Sequence, residues 1–252
     1  MRRLQLYELI WTPAKLFWYD RGLPQPELSR IQMLSTADIP DELGLVPEGN
    51  YAFVRGHGAT LLITCGALAR EVVDLIELNH WRHLDVDCLP AIWHNTPEKI
   101  PEGVRAKIRG AQGRYEKVFV LYGDCGTGGA LDKVLAEEGV ERIEGPHCYS
   151  FFAGNADFLA RSETEFTAFY LTDYFARHFD KLVWQTYHLD RPGMRDFVFG
   201  NYEKVVYLAQ TEDPVLQRRA EEAAEKLGLA YEYRFVGYGD LRSSMQALDL
   251  PE

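Results

Sequence analysis

The sequence predicts an α/β protein of three strand–helix–strand units in pseudo-threefold arrangement, with parallel sheets, an N-terminal arm and an inserted helix. Three observations carry this expectation. Short apolar runs such as Leu61–Ile63 and Val118–Leu121 lead directly into glycine-containing turns and then into helical periodicity. The four cysteines fall into two pairs of equal spacing, Cys65 to Cys88 (88 − 65 = 23) and Cys125 to Cys148 (148 − 125 = 23), offset by 60 residues. A third stretch, from Lys204, repeats the strand–turn–helix–strand order without cysteine. The expected divisions are an arm over 1–59, a first unit over 60–117, a second unit with the inserted helix over 118–203, and a third unit over 204–252.

Within the arm, Leu4 to Trp11 reads as a strand and Pro26 to Met33 as a short helix. Its aromatic residues Trp11, Phe17, Trp18 and Tyr19 suit packing over the core, a homodimer contact or a lid over the site. In the first unit, the buried strand Leu61–Thr64 delivers Cys65-Gly66. The helix that follows places Leu68, Val72, Val73 and Ile76 on one face and Arg70, Glu71 and Asp74 on the other. Leu84–Leu89 is the second strand and carries Cys88, and Trp93-His94-Asn95-Thr96-Pro97 is a loop bearing an imidazole and an amide.

The second unit opens on Tyr122-Gly123-Asp124-Cys125-Gly126-Thr127-Gly128-Gly129, and its helix stops at Gly139. Residues 162–183 read as the inserted helix, with Ser162 and Glu165 as a capping box and Phe166, Phe169, Tyr170 and Phe179 as an apolar stripe. In the third unit, Pro214 starts a helix that ends at Gly228, and Tyr231–Val236 closes the sheet. By the repeat, Thr211, Glu212 or Asp213 is expected where the first two units place cysteine.

Composition bounds the function. A chain of 252 residues with 46% hydrophobic and 13% aromatic residues can bury a large core. The net charge of −11, without a long basic run, argues against nucleic acid and anionic membrane as partners. No stretch approaches the roughly 18 apolar residues of a membrane helix. Four cysteines with no signal-like N-terminus read as free thiols or metal ligands in a cytoplasmic protein.

The chemistry follows from the strand ends. Cys65, Cys88, Cys125 and Cys148 are the candidate metal ligands, because thiolates are the soft donors that zinc and iron–sulfur clusters take. His94, Asp124 and His147 are the candidate catalytic groups for proton handling. Backbone N–H groups at Gly126, Gly128 and Gly129 are expected to bind an anionic group, which makes a small anionic metabolite the expected partner. The main reading is thus a metal- or iron–sulfur-binding enzyme. The alternatives are a cofactor-independent racemase or isomerase using the Cys65–Cys125 pair, or a non-catalytic accessory protein. Simple packing of small apolar cysteines suits Cys88 and Cys148 better than Cys65 and Cys125, which stand beside glycine before helices.

Several of these stretches also resemble a known family. Thr64-Cys65-Gly66-Ala67-Leu68, His94-Asn95-x-Pro97, the Tyr122–Gly129 loop, Gly145-x-His147-Cys148-Tyr149 and Tyr207-Leu208-Ala209-Gln210-Thr211 are similar to motifs of the domain of unknown function 1638 family. The likeness runs from about Thr60 to Gly239. The resemblance implies a setting in anaerobes beside corrinoid-dependent methyl-transfer metabolism, and it supplies no reaction.

Overall fold

The computed structural model describes residues 31–33, 50–53 and 59–248. Its strands form two sheets. The larger is built on three parallel strands in register: β3 (Thr60–Cys65) lies between β4 (Leu84–Leu89) and β5 (Lys117–Leu121). β3 is buried along its whole length, as a strand covered on both faces must be, and its Leu61-Leu62-Ile63 run meets that demand. The two-residue β6 (Glu141–Arg142) extends this sheet in parallel beyond β5. On the other side β2 (Asn50–Phe53) pairs antiparallel with β4, and β1 (Ile31–Met33) pairs with β2. The smaller sheet is all parallel, with β8 (Lys204–Ala209) between β7 (Ala168–Leu171) and β9 (Ala230–Phe235).

The helices follow the sequence signals closely. α1 (Ala69–Asn79) buries Val72, Val73 and Ile76, and α2 (Ile100–Ala111) starts with Pro101 in its first turn, where a missing N–H costs nothing. α3 (Ala130–Glu138) stops at Gly139 in the left-handed conformation. Two short helices, α4 (Cys148–Ala153) and α5 (Asn155–Arg161), cross from the first sheet to the second. After β7 come α6 (Asp173–Arg177), a π-helical stretch over Asp180–Gln185, and α7 (Met194–Phe199). α8 (Pro214–Leu227) is capped by Asp213, whose carboxylate accepts from Val215 N at 2.8 Å and Leu216 N at 3.3 Å. α9 (Gly239–Ala247) ends the described chain. No helix among the described residues is long and apolar enough to cross a membrane.

Three expectations are revised. The pseudo-threefold arrangement gives way to two sheets, because β3 and β5 are hydrogen-bonded neighbours and the first two units share one sheet. The inserted helix over 162–183 is replaced by β7, a short helix and the π-helical stretch. Phe169 and Tyr170 therefore stand on a strand, where aromatic residues fit the pleated surface. Ile31–Met33 is strand rather than the end of a helix. The rest of that helix, the strand Leu4–Trp11 and the dimer contact lie outside the described residues.

The repeat itself is altered by the register. Thr60 pairs with Lys117 and Thr64 with Leu121, an offset of 57 (117 − 60), whereas the cysteines repeat at 60. Cys65 is the last residue of its strand, and Cys125 comes four residues after the end of β5. The two thiols therefore arrive from the same edge of one sheet by different local routes.

Candidate metal centre

Four chain segments meet at the C-terminal ends of β3, β4 and β5, the edge of a parallel sheet where ligands usually bind. Cys65 ends β3, and its sulfur accepts a hydrogen bond from Ala67 N at 3.3 Å in the following turn. Gly66 packs that turn against the next loop. A Cβ there would sit 3.1 Å from Leu89 O and 3.3 Å from Ala91 N, so the two backbones approach only because the side chain is missing. This contact sets the 3₁₀ turn Ala91–Asn95 beside Cys65, with His94 Nδ1 3.5 Å from the Cys65 sulfur and 3.2 Å from Ala91 O.

The third segment is the loop after β5. Gly123 lies so close to the 145–147 loop that a Cβ would meet His147 N and Cα at 2.9 Å. Asp124 N donates to Gly145 O at 3.1 Å and Cys125 N to Pro146 O at 2.8 Å, which ties the two loops together. Cys125 takes φ of 47°, a conformation that costs a non-glycine residue energy and is held here by those bonds. The fourth segment is the start of α4, which presents Cys148. The Cys125 and Cys148 sulfurs are 3.4 Å apart, and the Cys148 sulfur is 3.8 Å from His94 Nε2. Donor atoms of His94, Cys125 and Cys148 all lie within 4.8 Å of one another, close enough to hold a metal ion.

The electrostatics separate the four thiols. The Cys148 thiol hydrogen-bonds to Cys125 and, together with the charge of His94, holds Cys125 well below the ordinary thiol range despite its burial. Burial pushes Cys65 up, but the hydrogen bond from Cys148 and the charge of His94 outweigh it and leave Cys65 lowered as well. Cys148, as the shared donor, is pushed well up by its bonds to Cys125 and Cys65. Enclosure lowers His94, and the two neighbouring thiolates more than reverse that, so its imidazole is held well above its usual value. Burial raises Cys88, and nearby Asp87 raises it further.

The predicted residues thus divide. Cys65, Cys125, Cys148 and His94 come together. Cys88 does not: it pairs in register with Thr64, so it stands on the sheet face opposite to that of Cys65. His147 borders the cluster, where its side chain helps lower Cys125, while its ring stacks on Tyr149 at a centroid distance of 4.8 Å. Asp124 is occupied within its own loop. Its carboxylate accepts from Thr127 Oγ1 at 2.7 Å, Gly129 N at 2.8 Å and Gly128 N at 3.2 Å, so it takes up N–H groups expected to hold an outside anion. Thr211 bonds to Asp173 and Asp213 caps α8, so both are engaged within the second sheet.

Two groups enter that the sequence did not single out. Tyr122 is wholly buried, with its hydroxyl beside the Cys65 sulfur. Its position as the first residue of the glycine loop was the available signal. The other is a cavity between the two sheets, which His94 and Cys148 help to line. Phe169, Tyr170, Phe175 and Phe199 line it, with Leu182 and Val183 from the π-helical stretch, a helix type found often at functional sites. No Lys, Arg, Asp or Glu is among its described lining residues, so an anionic metabolite would meet no cationic side chain of those types there.

No curated protein and no solved structure matches the chain. A family comparison matches residues 88–245, a span that includes His94, Cys125 and Cys148 and begins after Cys65. That match covers more than half of the sequence, and the chain belongs to the family described as protein of unknown function, DUF1638.

Proposed function

We propose that this protein binds one thiophilic transition-metal ion through Cys125, Cys148 and His94 Nε2, and uses it to act on a small molecule held in the adjoining cavity. The observation that carries the reading is the compact set of three donors within 4.8 Å. Two thiolates and an imidazole, with a fourth position left open, form a donor set known for catalytic zinc. Two sulfurs on one tetrahedral ion, each about 2.3 Å from it, stand about 3.8 Å apart. The 3.4 Å separation needs only a small opening to reach that. An iron–sulfur cluster spreads its thiolates over several irons, so the closeness favours a single ion.

The rest of the site fits this use. With Nε2 on the metal, His94 Nδ1 can donate to Ala91 O at 3.2 Å, the outer hydrogen bond that orients metal-bound histidines. Cys65, whose sulfur is 3.5 Å from Nδ1 of the same ring, backs the imidazole. A metal held by these residues would supply Lewis acidity, and Tyr122 has a buried hydroxyl near the Cys65, Cys125 and Cys148 thiols.

Cobalt titration of protein purified without oxygen tests the reading. One equivalent should give strong thiolate-to-cobalt absorption, and Cys125→Ser, Cys148→Ser and His94→Gln should each weaken metal affinity by at least about tenfold. Cys88→Ser should bind as the parent does. Absence of thiolate bands, or equal binding by all variants, would overturn the proposal.

A further inference from the structure

We infer that the cavity takes an uncharged small molecule with an aromatic or compact apolar body and a carbonyl-type acceptor, which Asn95 holds by its side-chain amide. The inference rests on the metal reading only in making this molecule the substrate. Its binding depends on the cavity alone.

The walls set the body of the ligand. Phe169, Phe199 and Tyr202 form a mutually packed group, with centroid separations of 5.1 Å, 5.9 Å and 5.4 Å. Phe175 stands edge-on to the His94 ring at 6.3 Å, so aromatic wall and candidate metal ligand are in direct contact. A charged group placed among such walls loses its hydration, and no Lys, Arg, Asp or Glu among the described lining residues compensates it, while the imidazole of His94 is already answered by the neighbouring thiolates of Cys65 and Cys125. Aromatic and branched apolar bodies gain from the same walls.

The polar handle comes from Asn95. This residue lines the cavity from the turn that carries His94, and its Oδ1 accepts from Tyr187 Oη at 3.2 Å across the gap between the sheets. That bond fixes the carboxamide and leaves Nδ2 as a buried donor without a partner among the described residues. Buried donors are rarely left unpaired, and a ligand carbonyl is the group that satisfies this one. Asn95 neighbours His94 in one turn and both line the cavity, so a carbonyl held there lies near the candidate metal ligand.

Calorimetric titration of the purified full chain with benzamide, benzoate and benzylammonium separates the alternatives, because the three share one ring and differ in charge. Benzamide should bind at least about tenfold more tightly than either ion in metal-free protein. Asn95→Leu should weaken benzamide about tenfold, since a lost partner to a buried amide is worth roughly that factor. Its metal content should stay that of the parent. Ala168→Trp, on the cavity wall, should abolish binding. Val198→Trp serves the same purpose if circular dichroism shows the first variant unfolded. Benzoate binding as tightly as benzamide to metal-free protein, no benzamide binding to folded protein, or full binding by the Asn95 or tryptophan variants overturns the inference. A protein that binds benzamide yet holds no metal would instead sink the metal reading alone.

Discussion

At the scale of single residues, the site is a contrast between thiols in one chain. Cys125 and Cys65 are lowered by a hydrogen bond from Cys148 and by the charge of His94, while Cys88 is raised by burial. Thiolates, not thiols, are the nucleophiles, so reactivity should follow this order. In metal-free protein at neutral pH, iodoacetamide should modify Cys125 at least about tenfold faster than Cys88, as read by mass spectrometry of peptides. Zinc should protect Cys125 and Cys148 and leave Cys88 unchanged. Equal rates at Cys125 and Cys88 would show that the cluster does not tune its thiols. Cys148→Ala removes the donor to Cys125, so its alkylation should slow even though the neighbouring side chain is smaller.

At the scale of elements, two loop-to-loop approaches build the centre, and each depends on a glycine. Gly123→Ala would push its new methyl against the His147 backbone at 2.9 Å. Overpacking of this kind costs about 1–3 kcal/mol, and here it would separate Cys125 from Cys148. The variant should melt several degrees lower and bind cobalt more weakly than the parent, and unchanged affinity would mean that the loops can shift freely. Much of this was legible in the sequence: β3, β4, β5 and β8 come from short apolar runs, and α8 from Pro214 and Gly228. The Cys–His convergence was legible too, because strand ends in parallel sheets share one edge. What was not legible came from tertiary choice. Residues 162–183 carry a helical capping signature, yet Ala168–Leu171 pairs with β8, which buries Ala168 and Leu171 fully. The equal cysteine spacing suggested equivalent pairs, but Cys88 stays inside a strand while Cys148 opens a helix. Spacing alone does not say which face of a pleated strand a side chain takes.

At the scale of the whole molecule, the two sheets meet at a buried acidic contact as well as at the cavity. Asp173, at the start of α6, accepts from Tyr207 Oη at 2.7 Å, Gln210 N at 3.0 Å, and Thr211 N and Oγ1 at 3.0 Å and 2.6 Å, so its charge is well supported within the second sheet. Facing it from α1 of the first sheet is Glu71, buried, with Oε2 lacking a partner among the described residues. Burial, with Asp173 and Asp74 nearby, raises the Glu71 carboxyl to about 8 against the partial relief of Arg177, and Tyr238 lies within reach of the same charges. A carboxyl raised in the folded state keeps its proton where the unfolded chain has lost it. The folded state therefore binds more protons between the ordinary carboxylate value of 4.5 and about 8, and stability must fall as pH rises through that window. Each tenfold difference in proton affinity is worth ~1.4 kcal/mol, so the whole effect is on the order of 5 kcal/mol. Glu71→Gln keeps the shape and removes the titration. Melting temperatures from pH 5 to pH 8 should fall steeply in the parent and less in the variant, so that Glu71→Gln is the more stable protein at pH 8 and loses that advantage near pH 5. Parallel curves would mean that Glu71 finds water or a counter-ion when charged, and that the contact between the sheets does not sense pH.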